Sequence, residues 1–174
     1  ASVGELMSVI PLIKNYEKDK SINQILVTSS TLSSSRVLEK FKLKKTTHQF
    51  YPIDHIYFTN KFLNYWKPSL VFFIESEIWP SMFRCLNKKK IPLILLNARL
   101  TKKTFNRWKK ISYFTKSVLK NVTLAFPQNV ETKFFLRNFN VKKVNLLGNL
   151  KFIESKDENI NKIEKNLKIQ FKKR

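Results

Sequence analysis

The sequence predicts an α/β protein built on a parallel, doubly wound sheet, and three observations carry that expectation. Apolar runs of strand length recur along the chain at Gln24–Thr28, Leu70–Ile74, Pro92–Leu96, Val122–Phe126 and Val144–Leu147. The runs are continuous rather than alternating, as strands buried on both faces of a parallel sheet are. Between them lie segments with apolar residues near the helical period of about 3.6 residues. Strand–helix alternation of this kind implies right-handed crossovers. No internal repeat or low-complexity linker interrupts it.

The elements follow in order. Ser2-Val3-Gly4-Glu5 matches a capping box and opens a helix carrying Leu6, Val9, Ile10 and Ile13 on one face. After the strand at Gln24 comes a hydroxyl-rich turn, Thr28–Ser35, and a short helix to about Lys42. Thr46–Tyr51 reads as a strand ending at Pro52. Asp54 is the expected N-cap of a helix bearing Ile56, Phe58, Phe62, Leu63 and Trp66, which stops before Pro68. A strand over 69–74 and a helix over about 78–88 come next. After Pro92–Leu96, a single long helix is expected over about 102–120, mixing Phe105, Trp108, Ile111 and Phe114 with Lys102, Lys103, Arg107, Lys109, Lys110 and Lys116. The strand at Val122 is followed by a helix over Val130–Asn138 and a last strand at Val144–Leu147. The tail, Asp157–Arg174, has Ile160, Ile163, Leu167 and Phe171 at helical spacing.

Composition bounds the partners. Hydrophobic residues make up 43% of the 174, enough for one domain with a core. No apolar run reaches the roughly 20 residues needed to span a bilayer. The single cysteine, Cys85, excludes an internal disulfide and fits a reducing compartment. Net charge is +22, from 34 Lys+Arg against 12 Asp+Glu, which points to a polyanion: nucleic acid, an anionic membrane surface or a phosphorylated substrate. The abundance of Lys, Asn, Ile and Phe, with only Gly4 and Gly148 as glycines, is the bias an AT-rich genome produces, so charge alone does not choose among these. The chain starts at Ala1, shows no signal-peptide pattern and begins at a helix start. It therefore reads as an internal fragment.

Polar signatures gather just after the strands, at Thr28–Ser35, Glu75–Glu77, Asn97–Arg99 and Asn149–Lys151. In a parallel sheet those ends share one edge, where open α/β sheets bind ligands, so the four groups are expected on one cleft. Competing chemistry finds no support. There is no GxGxxG, no GxxxxGK[ST] and no GxSxG. His48 and His55 lack Cys or acidic partners at metal-ligand spacing. No nucleic-acid-binding signature accompanies the charge, so no nucleic-acid partner is expected.

ASVGE, ESEIWP, NARL and GNLK, with HQFYPID ahead of the glutamate strand, stand in an order and spacing that resemble the N-terminal domain of bacterial 3-deoxy-D-manno-octulosonic acid (Kdo) transferases. The resemblance covers positions 1 to about 153. It implies a Rossmann-like acceptor-binding domain over 1–153, the N-terminal half of a GT-B glycosyltransferase with its first strand missing. Residues 154–174 would then be a polar amphipathic helix or the start of the interdomain connection. Such enzymes move Kdo from CMP-Kdo to a lipid A precursor (lipid IVA) in lipopolysaccharide core biosynthesis. They invert the anomeric centre and work at the cytoplasmic face of the bacterial inner membrane. The implied partners are CMP-Kdo, held mainly by an absent C-terminal domain, the phosphorylated lipid acceptor and an anionic membrane surface. No cofactor or metal is implied. The family's anchor is also absent, and the fragment alone is expected not to turn over. One departure is the loop TSSTLSSSR, where many members carry a Thr/Ser-Pro-Thr-Gly pattern.

Carried over by motif, Glu5 matches the general base, and Glu75 and Lys151 match transition-state stabilising positions. Ser2, Ser76 and Arg99 flank them as substrate-binding candidates. Each has a plainer reading. Glu5 completes the capping box with Ser2, Glu75 forms an ion pair with Arg99, and Lys151 is a solvated lysine after a strand. Glu77 is expected to be structural. Two rival functions stand beside this one: a GT-B glycosyltransferase with a different nucleotide-sugar donor, and a non-enzymatic basic module binding nucleic acid or membrane.

Overall fold

The structure, a computed structural model, describes residues 2–149. The α/β class read from the sequence holds, with helices and strands alternating in two compact units, Ser2–Gln49 and Phe50–Gly148. The strands lie in two sheets, one of two strands and one of three, instead of one continuous sheet.

In the first unit, helix α1 (Val3–Lys18) buries Leu6, Val9, Ile10, Leu12 and Ile13, the face its periodicity predicts. Strands β1 (Ile25–Ser29) and β2 (Thr46–Phe50) pair, and helix α2 (Leu32–Glu39) lies between them in sequence. The helix starts inside the stretch expected as a turn. Thr31 is extended and its hydroxyl accepts the Ser34 N–H at 3.4 Å, so a hydroxyl that would favour a turn serves as an N-cap. At the far end of α1 the Glu17 carboxylate accepts from Lys44 N–H at 3.0 Å, Lys45 N–H at 2.9 Å and the Thr46 hydroxyl at 2.7 Å. Burial works against its charged form, but these donors prevail and hold the carboxyl below its ordinary value.

The second unit is organised by strand β4 (Leu93–Ala98), all six residues of which are buried. It pairs in parallel with β3 (Val71–Ile74) on one side and β5 (Leu124–Pro127) on the other. A central parallel strand must be apolar on both faces, which is why LILL reads as an uninterrupted run. Helices α3 (Ile56–Trp66), α4 (Pro80–Lys88), α6 (Ser112–Leu119) and α7 (Val130–Asn138) supply Leu63, Phe83, Leu86, Leu119 and Leu136 to the core, each 2% exposed or less. Each such side chain contributes about 1.5–3 kcal/mol by leaving water.

Three expectations change here. Asp54 does not cap α3. His55 does, its Nδ1 accepting the Tyr57 N–H at 3.3 Å, while the Asp54 carboxylate crosses to α4 and accepts from Ser81 and Met82 N–H at 3.2 and 3.0 Å. Trp79 at the N-cap of α4 makes no side-chain cap bond, so those orphan donors need an outside acceptor. The long helix over 102–120 is two, α5 (Lys102–Lys110) and α6, broken at Ile111. The Thr115 hydroxyl donates back to the carbonyls of Trp108 and Ile111, and the Ile111 N–H closes a tight turn onto Trp108. The last strand is short: a parallel bridge joins Val144 to Ala125, and Asn145 and Leu147 N–H donate to the carbonyls of Ala125 and Pro127 at 2.9 and 3.5 Å.

Candidate functional site

In the second unit, two of the five non-glycine residues with positive φ stand at the carboxyl ends of β3 and β4. Glu75, first residue after β3, has φ 54°, and Asn97, near the end of β4, has φ 52°. Left-handed conformations are uncommon for non-glycine residues and cost of order 1–3 kcal/mol where the side chain gives no local compensation. Asn tolerates this region well; Glu does not.

The hydrogen bonds explain how the strain is held. Glu75 N–H donates to the Leu96 carbonyl at 3.0 Å, and the Glu75 carbonyl accepts from Arg99 N–H at 3.3 Å. A regular parallel ladder would return from residue 98. One extra residue has been inserted, and the register indeed shifts between Leu96 and Ala98. The bulge turns Asn97 inward, 1% exposed, with its Nδ2 3.4 Å from Glu75 Oε1. Beyond it, Leu100 N–H donates to Thr132 Oγ1 at 3.2 Å, and that hydroxyl donates to the Leu100 carbonyl at 3.4 Å, fixing the NARL loop to the first turn of α7.

Glu77 accepts from the Trp79 indole Nε1 at 2.6 Å, the structural role expected of it. The Tyr51 ring lies against Trp79, with centroids 4.8 Å apart, and edge-on to Phe73. Its hydroxyl is buried without a hydrogen-bond partner among the described residues. Burial, with Asp54 and Glu77 adding negative potential, pushes the phenol far above its ordinary value.

In the first unit the capping box is formed: Ser2 N–H donates to Glu5 Oε2, and Glu5 N–H donates to Ser2 Oγ at 3.3 Å. Glu5 is half-exposed at the start of α1. The hydroxyl-rich segment buries Ser29, Ser34 and Ser35, and the Ser29 Oγ lies 2.8 Å from His48 Nε2. Burial holds that imidazole below its ordinary value, with Glu39 working in the opposite direction.

Of the four polar groups expected together, Glu75–Glu77 and Asn97–Arg99 meet. Arg99 reaches Glu75 through its backbone N–H while its side chain is exposed, and Ser76 is exposed on the turn. Ser2 and Glu5 pair with each other, and Thr28–Ser35 belongs to that same first unit. Lys151 lies outside the described residues, as does the tail helix expected over 157–174. Asn97 received no role from the sequence, although a lone amide at the end of LILL was a visible signal. The contacts of Asp54 and Thr132 gave none, because each reaches a segment distant in sequence, Asp54 the first turn of α4 and Thr132 the loop at Leu100. Among the described residues no group of three His, Cys, Asp or Glu side chains could hold a metal ion, and no helix is long and apolar enough to cross a membrane.

Residues 1–154 match the family model described as 3-deoxy-D-manno-octulosonic-acid transferase (kdotransferase). The chain belongs to the Kdo transferase family. A 3-deoxy-D-manno-octulosonic acid transferase of Rickettsia bellii is 38% identical over 174 residues, covering 97% of this chain and 41% of the relative. A probable mitochondrial 3-deoxy-D-manno-octulosonic acid transferase of Arabidopsis thaliana is 32% identical over 159 residues, covering 89% and 36%. The Haemophilus influenzae relative is 28% identical, covering 94% and 39%. The chain thus spans about two-fifths of the length of these Kdo transferases. Among solved structures, a UDP-GlcNAc 2-epimerase from Neisseria meningitidis aligns with TM-score 0.60 at 17% identity, over 98% of this chain and 52% of its own. That likeness concerns the fold. The resemblance first seen in ASVGE, ESEIWP, NARL and GNLK is therefore one of family, and for a Kdo transferase Glu5 and Glu75 are the residues to weigh.

Proposed function

We propose that this chain is the acceptor-binding half of a glycosyltransferase that moves Kdo from CMP-Kdo to a phosphorylated lipid A precursor, lipid IVA, at the cytoplasmic face of the bacterial inner membrane. The observation that carries the reading is Glu75. In a chain of the Kdo transferase family, this carboxylate is held in a strained conformation at the carboxyl end of a parallel strand, where such sheets bind ligands.

The reaction is an inverting displacement. The acceptor oxygen bonds to the anomeric carbon as the bond from that carbon to the CMP phosphate oxygen breaks, and the acceptor proton goes to the Glu5 carboxylate. A base in hydrogen-bond reach contributes typically about 10²–10⁴-fold. Glu75 stabilises positive charge developing on the sugar, and Lys151 neutralises phosphate or the Kdo carboxylate. Ser2, Ser76 and Arg99 are the substrate-binding candidates, Arg99 with a guanidinium suited to a bidentate anion contact. For Glu5 to act, the bond from Ser2 N–H to its carboxylate must be shared with or yielded to the acceptor hydroxyl. The exposed Ile111, Tyr113 and Phe114, beside Lys109, Lys110 and Lys116, support contact with an anionic bilayer.

A graft of residues 1–154 into the aligned segment of the Rickettsia bellii relative tests this directly. The graft should transfer Kdo from CMP-Kdo to lipid IVA, and no transfer, or transfer from another nucleotide sugar only, overturns the proposal. Within the graft, Glu5→Gln should reduce transfer by at least about 10²-fold while leaving the melting temperature unchanged. Gln also completes a capping box, so the substitution removes the base and keeps the cap. Near-normal transfer by E5Q would reduce Glu5 to a cap.

A further inference from the structure

We infer that Asn97 is a positioning residue, holding the Glu75 carboxylate in place through its side-chain amide. The inference rests on the reading of Glu75 given above and adds a residue to it.

Asn97 is anomalous where it stands. Every other residue of β4 is apolar, and the strand is buried throughout. A buried amide costs about 1–3 kcal/mol if its donors go unmet, so an amide at this place needs a partner that justifies it. The amide faces a carboxylate on the neighbouring strand end, Nδ2 to Oε1 at 3.4 Å.

The backbone is arranged to make this possible. Glu75 grips β4 through both of its own peptide groups, at Leu96 and Arg99, and the inserted residue lies between those two points. Without the bulge, Ala98 would return to Glu75 and residue 97 would stay within the ladder's ordinary alternation. The left-handed turn at Asn97 faces a second left-handed residue, Glu75 itself. Two strained neighbours and one extra residue thus accompany this side-chain contact. Catalytic hydrogen bonds in ligand-free enzymes are commonly long and shorten when charge develops, which fits the 3.4 Å separation.

Asn is also the side chain that meets both demands. It accepts φ near 50° with little strain, and it presents two N–H donors with no charge that would cancel the carboxylate. Lys or Arg would bind Glu75 more strongly but would neutralise the negative field offered to the developing cation. A neutral donor orients the group and leaves its charge available.

The test has two arms. In the 1–174 chain, the Asn97 side-chain amide signals, assigned with Asn97→Gly, should shift in ¹⁵N NMR as carboxylates titrate, and the shift should vanish in Glu75→Gln. Signals that do not move, or that move equally in E75Q, overturn the proposal whatever the enzyme's activity. In the Rickettsia graft, N97G should lower kcat about 10-fold with KM little changed, the scale of one lost hydrogen bond to a charged group. Gly keeps the left-handed backbone but empties a buried side-chain site, so the melting temperature should fall, and kcat and KM are compared at a temperature where the graft is fully folded. Asn97→Asp, which replaces the donor with a second carboxylate, should lower kcat at least as far. The double variant N97G/E75Q should be no slower than E75Q alone, because Asn97 acts through Glu75. Additive losses refute the positioning role. An E75Q graft with full activity refutes the assignment of Glu75 instead, and the NMR arm still decides the contact.

Discussion

Tyr51 is the residue with the sharpest conflict between its chemistry and its surroundings. Its ring is well used, packed on Trp79 and Phe73, yet its buried hydroxyl has no hydrogen-bond partner among the described residues. Removing that oxygen with Tyr51→Phe should leave stability unchanged or raise it by up to about 1 kcal/mol in urea unfolding at neutral pH. The difference should grow in alkali. The folded protein holds the phenol above its ordinary value, so the unfolded chain ionises first and stability falls as pH rises past about 10, by up to about 1.4 kcal/mol per pH unit for this one group. Y51F should lack that component, and equal alkaline profiles would show the ring to be less buried than it is here. At the same scale, the sequence made Glu75 legible as a polar interruption after an apolar run. It could not show the left-handed turn or the bulge, because both depend on how β4 pairs with its neighbours β3 and β5.

Among the elements, helix α5 and its neighbour α6 depart furthest from a pattern-based reading. Phe105, Trp108, Ile111 and Phe114 look like one stripe, but the break at Ile111 divides it. Phe105 and Trp108 pack on the core, whereas Ile111 and Phe114 are 52% and 47% exposed, with Tyr113 at 92% between them. An apolar tip ringed by lysines suits an anionic membrane interface. Vesicles of phosphatidylcholine with anionic phosphatidylglycerol, lacking any lipid A precursor, should bind the chain in flotation assays, less so as salt rises. A triple Ser variant at Ile111, Tyr113 and Phe114 should bind at least about 10-fold more weakly, since each buried apolar side chain is worth about 1.5–3 kcal/mol. Unaltered binding would leave the attraction to charge alone. Strand and helix existence was legible because period and run length are local properties. The acceptor at the start of α4 was not, since Asp54 reaches the Ser81 and Met82 N–H groups only through tertiary packing.

For the molecule as a whole, the charge of +22 narrows the partner to a polyanion without choosing one. Family membership over residues 1–154 supplies what charge does not. Alternating elements predicted parallel pairing, and the second unit realises it around β4. The grouping into two sheets escaped a linear reading because strand order beyond immediate neighbours leaves no periodic mark on the chain. The expected meeting of four polar edges is realised for Glu75 and Asn97, whose strands are adjacent; that was the part of the site that topology alone could bring together.

The three donors on Glu17 carry a kinetic consequence. Lys44 is exposed and both it and Lys45 precede β2, so neither amide belongs to a helix or strand ladder. Their protons should nevertheless exchange slowly with deuterated solvent, at the rate at which α1 parts from the start of β2. Because the Glu17 carboxyl is held below its ordinary value, this protection should persist above pH about 4.3 and disappear as pH falls through the lowered value. Glu17→Gln should expose both amides at neutral pH, making two surface peptide groups a clock for the opening of the first unit.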